Sequence, residues 1–248
     1  MGKRVTVIGL GIEGVDTARY AARHGASVTV LDTKPAAALG SRLEELEGLP
    51  ITYDLGRAQR IDDIASSDLV FVSQSVPLTL PFLIEARERG LKLSSMTRYF
   101  LEHCPGPTIG ITGSSGKTTT TALVAAMLAA DGRPYRAGGN IGTGLLGLLD
   151  GIDERTWTVL EMSHTQLQLT DRSPHIAAIL NITPNHLDQF SWEDYVSLKQ
   201  NILTGQTADD IAVLNADDEL CVSSAELTPA HRWWTSATDA ASSSSTPR

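Results

Sequence analysis

Short apolar runs alternate with amphipathic stretches along the first hundred residues. Val5-Thr6-Val7-Ile8 is a β-branched run, Gly9 to Gly14 a turn, and Val15 to His24 has helical periodicity closed by Gly25. Ser27 to Leu31 predicts a second strand, with Asp32 at its end. Leu39 to Leu46 predicts a helix, Asp68 to Val72 a buried strand, Pro81 to Arg89 a helix closed by Gly90, and Leu91 to Leu93 a strand. Strands and helices in this rhythm build a parallel, doubly wound sheet.

Cys104-Pro105-Gly106-Pro107 breaks the pattern with a rigid turn. The rhythm then restarts. Thr108 to Thr112 predicts a strand, Gly113 to Gly116 a loop, and Lys117 to Ala130 a helix followed by Gly132. Trp157 to Leu160, Ile176 to Leu180 and Ile211 to Leu214 predict further strands, and Trp192 to Leu203 a helix. The expected class is α/β: a Rossmann-like parallel-sheet domain over 1–104, then a P-loop-type α/β domain over 105–234 that is incomplete. Residues 235–248 read TSATDAASSSSTPR, without apolar periodicity. Such a stretch buries too little surface to offset its ordering entropy, and a disordered tail is expected there.

The chain has 248 residues, 42% of them hydrophobic and 20% charged, the balance of a globular protein. A formal net charge of −9 gives no reason to expect nucleic-acid or anionic-membrane binding. A phosphate-bearing ligand would have to be held locally, by backbone N–H groups, helix N-termini and a few cations. The two cysteines, Cys104 and Cys221, have no metal-ligand spacing. No apolar run approaches the ~18 residues needed to span a bilayer, and Met1-Gly2-Lys3-Arg4 enters a strand directly. The expectation is a cytoplasmic monomer without a signal peptide.

Gly9-Leu10-Gly11-Ile12-Glu13-Gly14 follows a strand and opens a helix, and Asp32 ends the next strand. That is the setting of a dinucleotide fingerprint. Glycine lets the backbone approach a diphosphate, and the helix N-terminus adds unpaired N–H groups with partial positive charge. The same chemistry suits NAD and a UDP-sugar alike. Alone, this loop fits an NAD-dependent oxidoreductase.

Gly113-Ser114-Ser115-Gly116-Lys117-Thr118-Thr119 also joins a strand to a helix. Its amides suit phosphates, Lys117 suits β/γ-phosphate oxygens, and the Thr118 hydroxyl suits Mg²⁺. The strict P-loop has a glycine at the place of Ile111, so the pattern is relaxed here. Two such loops in tandem fit an enzyme that holds a nucleotide-linked substrate on one domain and ATP on the next.

Gly110 to Thr119 resembles the ATP loop of the Mur ligase family. Gly138-Gly139-Asn140-Ile141-Gly142, Leu160-Glu161-Met162-Ser163, Asn181 to Asp188, Tyr195-Val196-Ser197-Leu198-Lys199 and Asn215-Ala216-Asp217-Asp218 resemble further family segments in the same order. The resemblance runs from about residue 4 to about residue 220. Within the family, Gly9 to Gly14, Asp32-Thr33-Lys34 and Val72 to Pro77 are similar to the member that adds D-glutamate to UDP-N-acetylmuramoyl-L-alanine.

The resemblance implies phosphorylation of the substrate carboxylate by ATP and attack of the D-glutamate amine on the acyl phosphate, in peptidoglycan precursor synthesis. It implies ATP binding by Gly113, Ser114, Ser115, Gly116, Lys117, Thr118 and Thr119, and UDP-substrate contacts from Gly9, Leu10, Gly11, Ile12, Glu13, Asp32, Thr33, Lys34, Ser75, Asn140 and Ser163. Lys117, His186 and Lys199 take catalytic roles, with Lys199 carbamylated. Thr118 and Glu161 would hold one Mg²⁺ and His186 a second. Four positions depart from the pattern: Ser75 replaces a usual glycine, Asn185 a common Asp, and His164-Thr165 a usual Ser-Phe.

The family also has a C-terminal domain for the incoming amino acid, about another 150 residues. Its absence from this chain is expected, and with it little or no ligase activity of the chain alone. A non-catalytic nucleotide- or UDP-sugar-binding fragment and a sister ligase for another amino acid stay open beside the main reading.

Overall fold

The computed structural model describes residues 2–140, 144–185 and 188–237. In chain order its first elements are β1 (Arg4–Ile8), α1 (Ile12–Arg23), β2 (Ser27–Asp32), α2 (Gly40–Glu44), β3 (Ile51–Leu55), β4 (Leu69–Val72), α3 (Pro81–Glu88), β5 (Leu93–Ser94) and α4 (Met96–His103). There follow β6 (Thr108–Thr112), α5 (Lys117–Ala130), β7 (Tyr135–Gly139), α6 (Leu146–Leu149), β8 (Trp157–Glu161), β9 (Ile176–Ile179), α7 (Trp192–Thr204), β10 (Ile211–Asn215), α8 (Glu219–Ser223) and β11 (His231–Thr235).

Two compact units result. One contains Met1–Phe100 and Gly142–Asp150, the other Leu101–Ile141 and Gly151–Arg248. The division is not a single cut, because α6 belongs to the first unit.

The first unit carries a five-stranded sheet in the order β3-β2-β1-β4-β5, with every pairing parallel. Its inner strands bury both faces, which explains their unbroken Val/Ile/Leu runs. Val7, Val30 and Val70 are fully enclosed. The chain leaves β1 toward β2 and β3, then returns to lay β4 on the other side of β1. Residues at the C-terminal ends of β1 and β4 therefore flank a point where the connections diverge, and a ligand crevice forms at such points.

The second unit carries a six-stranded sheet, β11-β10-β9-β6-β8-β7, again parallel throughout. Ile109, Ile111, Val159 and Ala178 form its centre, with Val124 and Leu128 of α5 packed over them. Here β6 lies between β8 and β9, so the turn after β6 opens at the second switch point.

Several boundaries differ from the sequence expectation. Helix α1 begins at Ile12 rather than Val15, because Gly11 has extended backbone and serves as the N-cap. Helix α2 is only Gly40–Glu44, and β5 is Leu93–Ser94. Thr235, read as the start of a tail, pairs with Asn215 as the last residue of β11. Ser236 and Ala237 also bond the Asp217 carboxylate, and 238–248 lie outside the described residues.

Candidate functional site

In the first unit, the turn between β1 and α1 is held by the strands around it. The Gly9 N–H donates to Leu31 O at 2.8 Å, and the Ser73 hydroxyl donates to Gly9 O at 2.7 Å. A Cβ at Gly14 would collide with the Gly9 carbonyl oxygen, so only glycine lets α1 start this close to the turn. Asp32 braces the turn from the end of β2. Its carboxylate accepts from the Leu10 N–H at 2.7 Å and the Lys34 N–H at 2.8 Å. Glu13 is buried and accepts from the Gln74 N–H at 3.1 Å, which ties α1 to the loop after β4.

The expected UDP-substrate residues of this unit thus divide by exposure. Gly11, Ile12, Thr33, Lys34 and Ser75 are exposed around the turn. The Leu10 side chain is buried in the core, and the carboxylates of Glu13 and Asp32 already hold backbone amides. Leu10, Glu13 and Asp32 thereby shape the turn.

In the second unit, the loop Gly113–Gly116 leaves β6 and bonds the segment after β9. The Ser114 N–H donates to Asn181 O at 3.0 Å. The Asn181 side chain accepts from the Ser115 N–H at 2.9 Å and donates to Ser115 O at 3.2 Å. Gly116, with φ 81°, is the N-cap of α5, and no side chain caps that end. Its exposed first N–H groups therefore remain available to an anion.

Lys117 folds back, its ammonium donating to Gly113 O at 2.9 Å and Ser114 O at 3.4 Å. Lys199 reaches the same carbonyl from α7 at 2.8 Å. It is 1% exposed, and burial, reinforced by the neighbouring Lys117 charge, lowers its pKa from the ordinary 10.5 to about 7.

Glu161, at the end of β8, is 3% exposed. One oxygen accepts from the Thr118 hydroxyl at 2.6 Å and the other from the Asn140 amide at 3.0 Å. Gly139 has φ 98°, and a Cβ there would collide with the Glu161 carbonyl. That close approach, with the Asn140 N–H donating to Glu161 O at 2.9 Å, fixes the end of β7 against β8. A buried carboxylate held by neutral donors beside a threonine hydroxyl is a hard oxygen pair, and it fits Mg²⁺.

The structure thus brings Lys117, Thr118, Asn140, Glu161 and Lys199 around one loop. Ser163 lies in the buried turn after β8, its hydroxyl 3.0 Å from Thr165 Oγ1. Ser114 and Ser115 bond the segment after β9, while Thr119 is exposed on the first turn of α5. His186 lies outside the described residues, and no group of three or more His, Cys, Asp or Glu suited to a metal occurs among the described ones.

Among the loop's partners, reading the sequence missed Asn181 and Tyr195. Both stood inside recognised segments. Asn181 had a usable signal, an Asn directly after a buried strand, where an amide side chain substitutes for backbone pairing.

The family model for the Mur ligase middle domain matches residues 111–245, and that for the MurD-like N-terminal domain of Mur ligases matches residues 3–95. The chain belongs to the Mur ligase family. It is 42% identical over 217 residues to the UDP-N-acetylmuramoylalanine–D-glutamate ligase of Symbiobacterium thermophilum, covering 87% of this chain and 48% of that one. It is 40% identical over 235 residues to the ligase of the same name from Acidobacterium capsulatum, covering 94% and 51%. This Mur ligase chain spans about half the length of the curated relatives it matches.

Among solved structures, the UDP-N-acetylmuramate:L-alanyl-gamma-D-glutamyl-meso-diaminopimelate ligase from Neisseria meningitides superposes with a TM-score of 0.58 at 16% identity. The match covers 94% of this chain and 78% of that one. The UDP-N-acetylmuramate-alanine ligase of Thermotoga maritima gives 0.52 at 22% identity, covering 90% and 51%. At these identities the likeness is one of fold: tandem α/β units with parallel sheets. No helix among the described residues is long and apolar enough to cross a membrane.

Proposed function

We propose that this chain supplies the substrate- and ATP-binding parts of a ligase that joins D-glutamate to UDP-N-acetylmuramoyl-L-alanine in peptidoglycan precursor synthesis. The observation that carries the reading is the gathering of Lys117, Thr118 and Glu161 at the open N-terminus of α5. An NAD-dependent oxidoreductase leaves that gathering without a purpose.

The loop amides and the first turn of α5 receive the ATP phosphates. Lys117 leaves Gly113 O and turns to the β/γ-phosphates. Thr118 and Glu161 would hold one magnesium ion and His186 a second, and magnesium bound there would offset the repulsion between ATP and a carboxylate substrate. The substrate carboxylate oxygen takes the γ-phosphoryl group as ADP leaves. The D-glutamate amine then attacks the acyl carbon, loses a proton, and the tetrahedral intermediate expels phosphate to leave an amide. Asn140 holds Glu161 in place, and Asn140 and Ser163 would also contact the substrate.

Lys199 supports a further chemical reading. With its pKa brought to about 7, much of it is free amine near neutrality, the form whose nitrogen adds to carbon dioxide to give a carbamate and a proton. The first unit takes the UDP-linked substrate at the turn between β1 and α1, through Gly9, Gly11, Ile12, Thr33, Lys34 and Ser75.

Calorimetric titration with ATP and Mg²⁺ tests the second unit. Lys117→Ala is expected to weaken binding by about tenfold or more, the loss of a charge-assisted contact. Equal affinity of the variant and the unaltered chain would remove Lys117 from the site.

A further inference from the structure

The ATP loop is gripped from α7, and the grip centres on Tyr195. This side chain is 1% exposed. Its hydroxyl lies 3.1 Å from Ser114 Oγ. The Ser114 hydroxyl also donates to Thr183 O at 2.9 Å and accepts from the Thr183 N–H at 2.9 Å.

A serine hydroxyl has one proton and two lone pairs. The proton goes to Thr183 O and one lone pair to the Thr183 N–H. The remaining lone pair faces Tyr195, which makes the tyrosine the donor. One turn along α7, Lys199 sits with its ammonium 4.7 Å from the centre of the Tyr195 ring, on the same helix face. In its protonated form, before any carbamate forms, Lys199 is held there by the ring's electron density. From there Lys199 donates to Gly113 O. The hydroxyl and the ring of Tyr195 thus act on two consecutive loop residues, one directly and one through Lys199.

The consequence concerns Lys117. It shares Gly113 O with Lys199, and a phosphate would draw it away. With Lys199 held over Tyr195, that carbonyl keeps a donor when Lys117 departs, and the loop keeps its shape.

We propose that Tyr195 is a positioning residue for ATP: its hydroxyl fixes Ser114, and its ring holds Lys199 on Gly113, so that the loop is set for phosphate before nucleotide arrives. The proposal rests on the reading of this loop as an ATP site.

The test is ATP–Mg²⁺ calorimetry on the chain and on Tyr195→Phe, Ser114→Ala and the double variant. Phenylalanine keeps the ring and removes the hydroxyl. Tyr195→Phe is expected to weaken ATP about 3- to 10-fold, the effect of one hydrogen bond, and Ser114→Ala, which also removes the two Thr183 bonds, at least as much. The double variant is expected to be no weaker than the worse single one, because both remove the same bond. A general loss of packing would lower the melting temperature without that coupling. Affinity of Tyr195→Phe within twofold of the unaltered chain, or losses that simply multiply, would overturn the proposal. Should the unaltered chain not bind ATP, the ATP reading itself fails. Amide hydrogen exchange at Ser114 and Ser115 then decides the clamp alone: faster exchange in Tyr195→Phe supports it, and unchanged exchange ends it.

Discussion

Lys199 shows how one residue's surroundings set its chemistry. Burial penalises its charged form, and the nearby Lys117 charge adds to the penalty. Between pH 7 and the ordinary lysine value of 10.5, the unfolded chain binds a proton that the folded chain does not. Stability from this group therefore rises with pH across that window, and below it the full cost of a buried ammonium is felt. Lys199→Met is expected to gain stability over the unaltered chain at pH 6 and to lose that advantage by pH 9, measured by urea unfolding in bicarbonate-free buffer. Stability curves that stay parallel in pH would contradict it. The sequence showed a lysine on a helix at this place. Its burial follows from α7 packing against β6 and β9 and from the loop after β6, long-range neighbours that periodicity does not reveal. Glu161 differs: Leu-Glu at the end of an apolar strand announces a carboxylate at the C-terminal edge of a sheet, and only its grip by Asn140 and Thr118 needed the structure.

At the scale of elements, the strands that were legible are those buried on both faces, such as β1, β4, β6 and β9. The three strands that the pattern did not reveal, β3, β7 and β11, all lie at sheet edges. No residue of Ile51–Leu55 is buried, His231–Thr235 is largely exposed, and Tyr135–Gly139 ends in two glycines. An edge strand has fewer neighbours to bury against, so its sequence need not carry a continuous apolar run. Helix α6 was hidden for another reason. Its N-terminal amides are satisfied by Asp16, far away in sequence on α1, with Leu146 N–H to Oδ2 at 2.7 Å and Gly147 N–H to Oδ1 at 3.4 Å. The Asp16 pKa is raised by desolvation, which the α6 amides offset only in part. His24, at the other end of α1, meets Asp150 at 3.1 Å. Asp16→Ala is expected to strip α6 of its acceptor and cost about 1–3 kcal/mol. Hydrogen exchange should locate the loss at the Leu146 and Gly147 amides. Unchanged protection there would show that α6 is held by Leu145 and Leu146 packing alone.

For the whole molecule, the rhythm of strands and helices was enough to anticipate two parallel α/β sheets, because alternation leaves few topologies open. It was not enough to assign residues 142–150 to the first unit. In each unit the candidate residues collect where the connections diverge, after β1 and β4 in one and after β6, β8 and β9 in the other. A glycine turn at such a point accepts any diphosphate, so fold alone does not choose between NAD and a UDP-sugar. That choice is the centre of the account, and calorimetric titration of the chain with UDP-N-acetylmuramoyl-L-alanine, with NAD as the control, tests it most directly. Saturable binding of the UDP-sugar with none of NAD is the predicted result. Binding of NAD without the UDP-sugar would contradict the account.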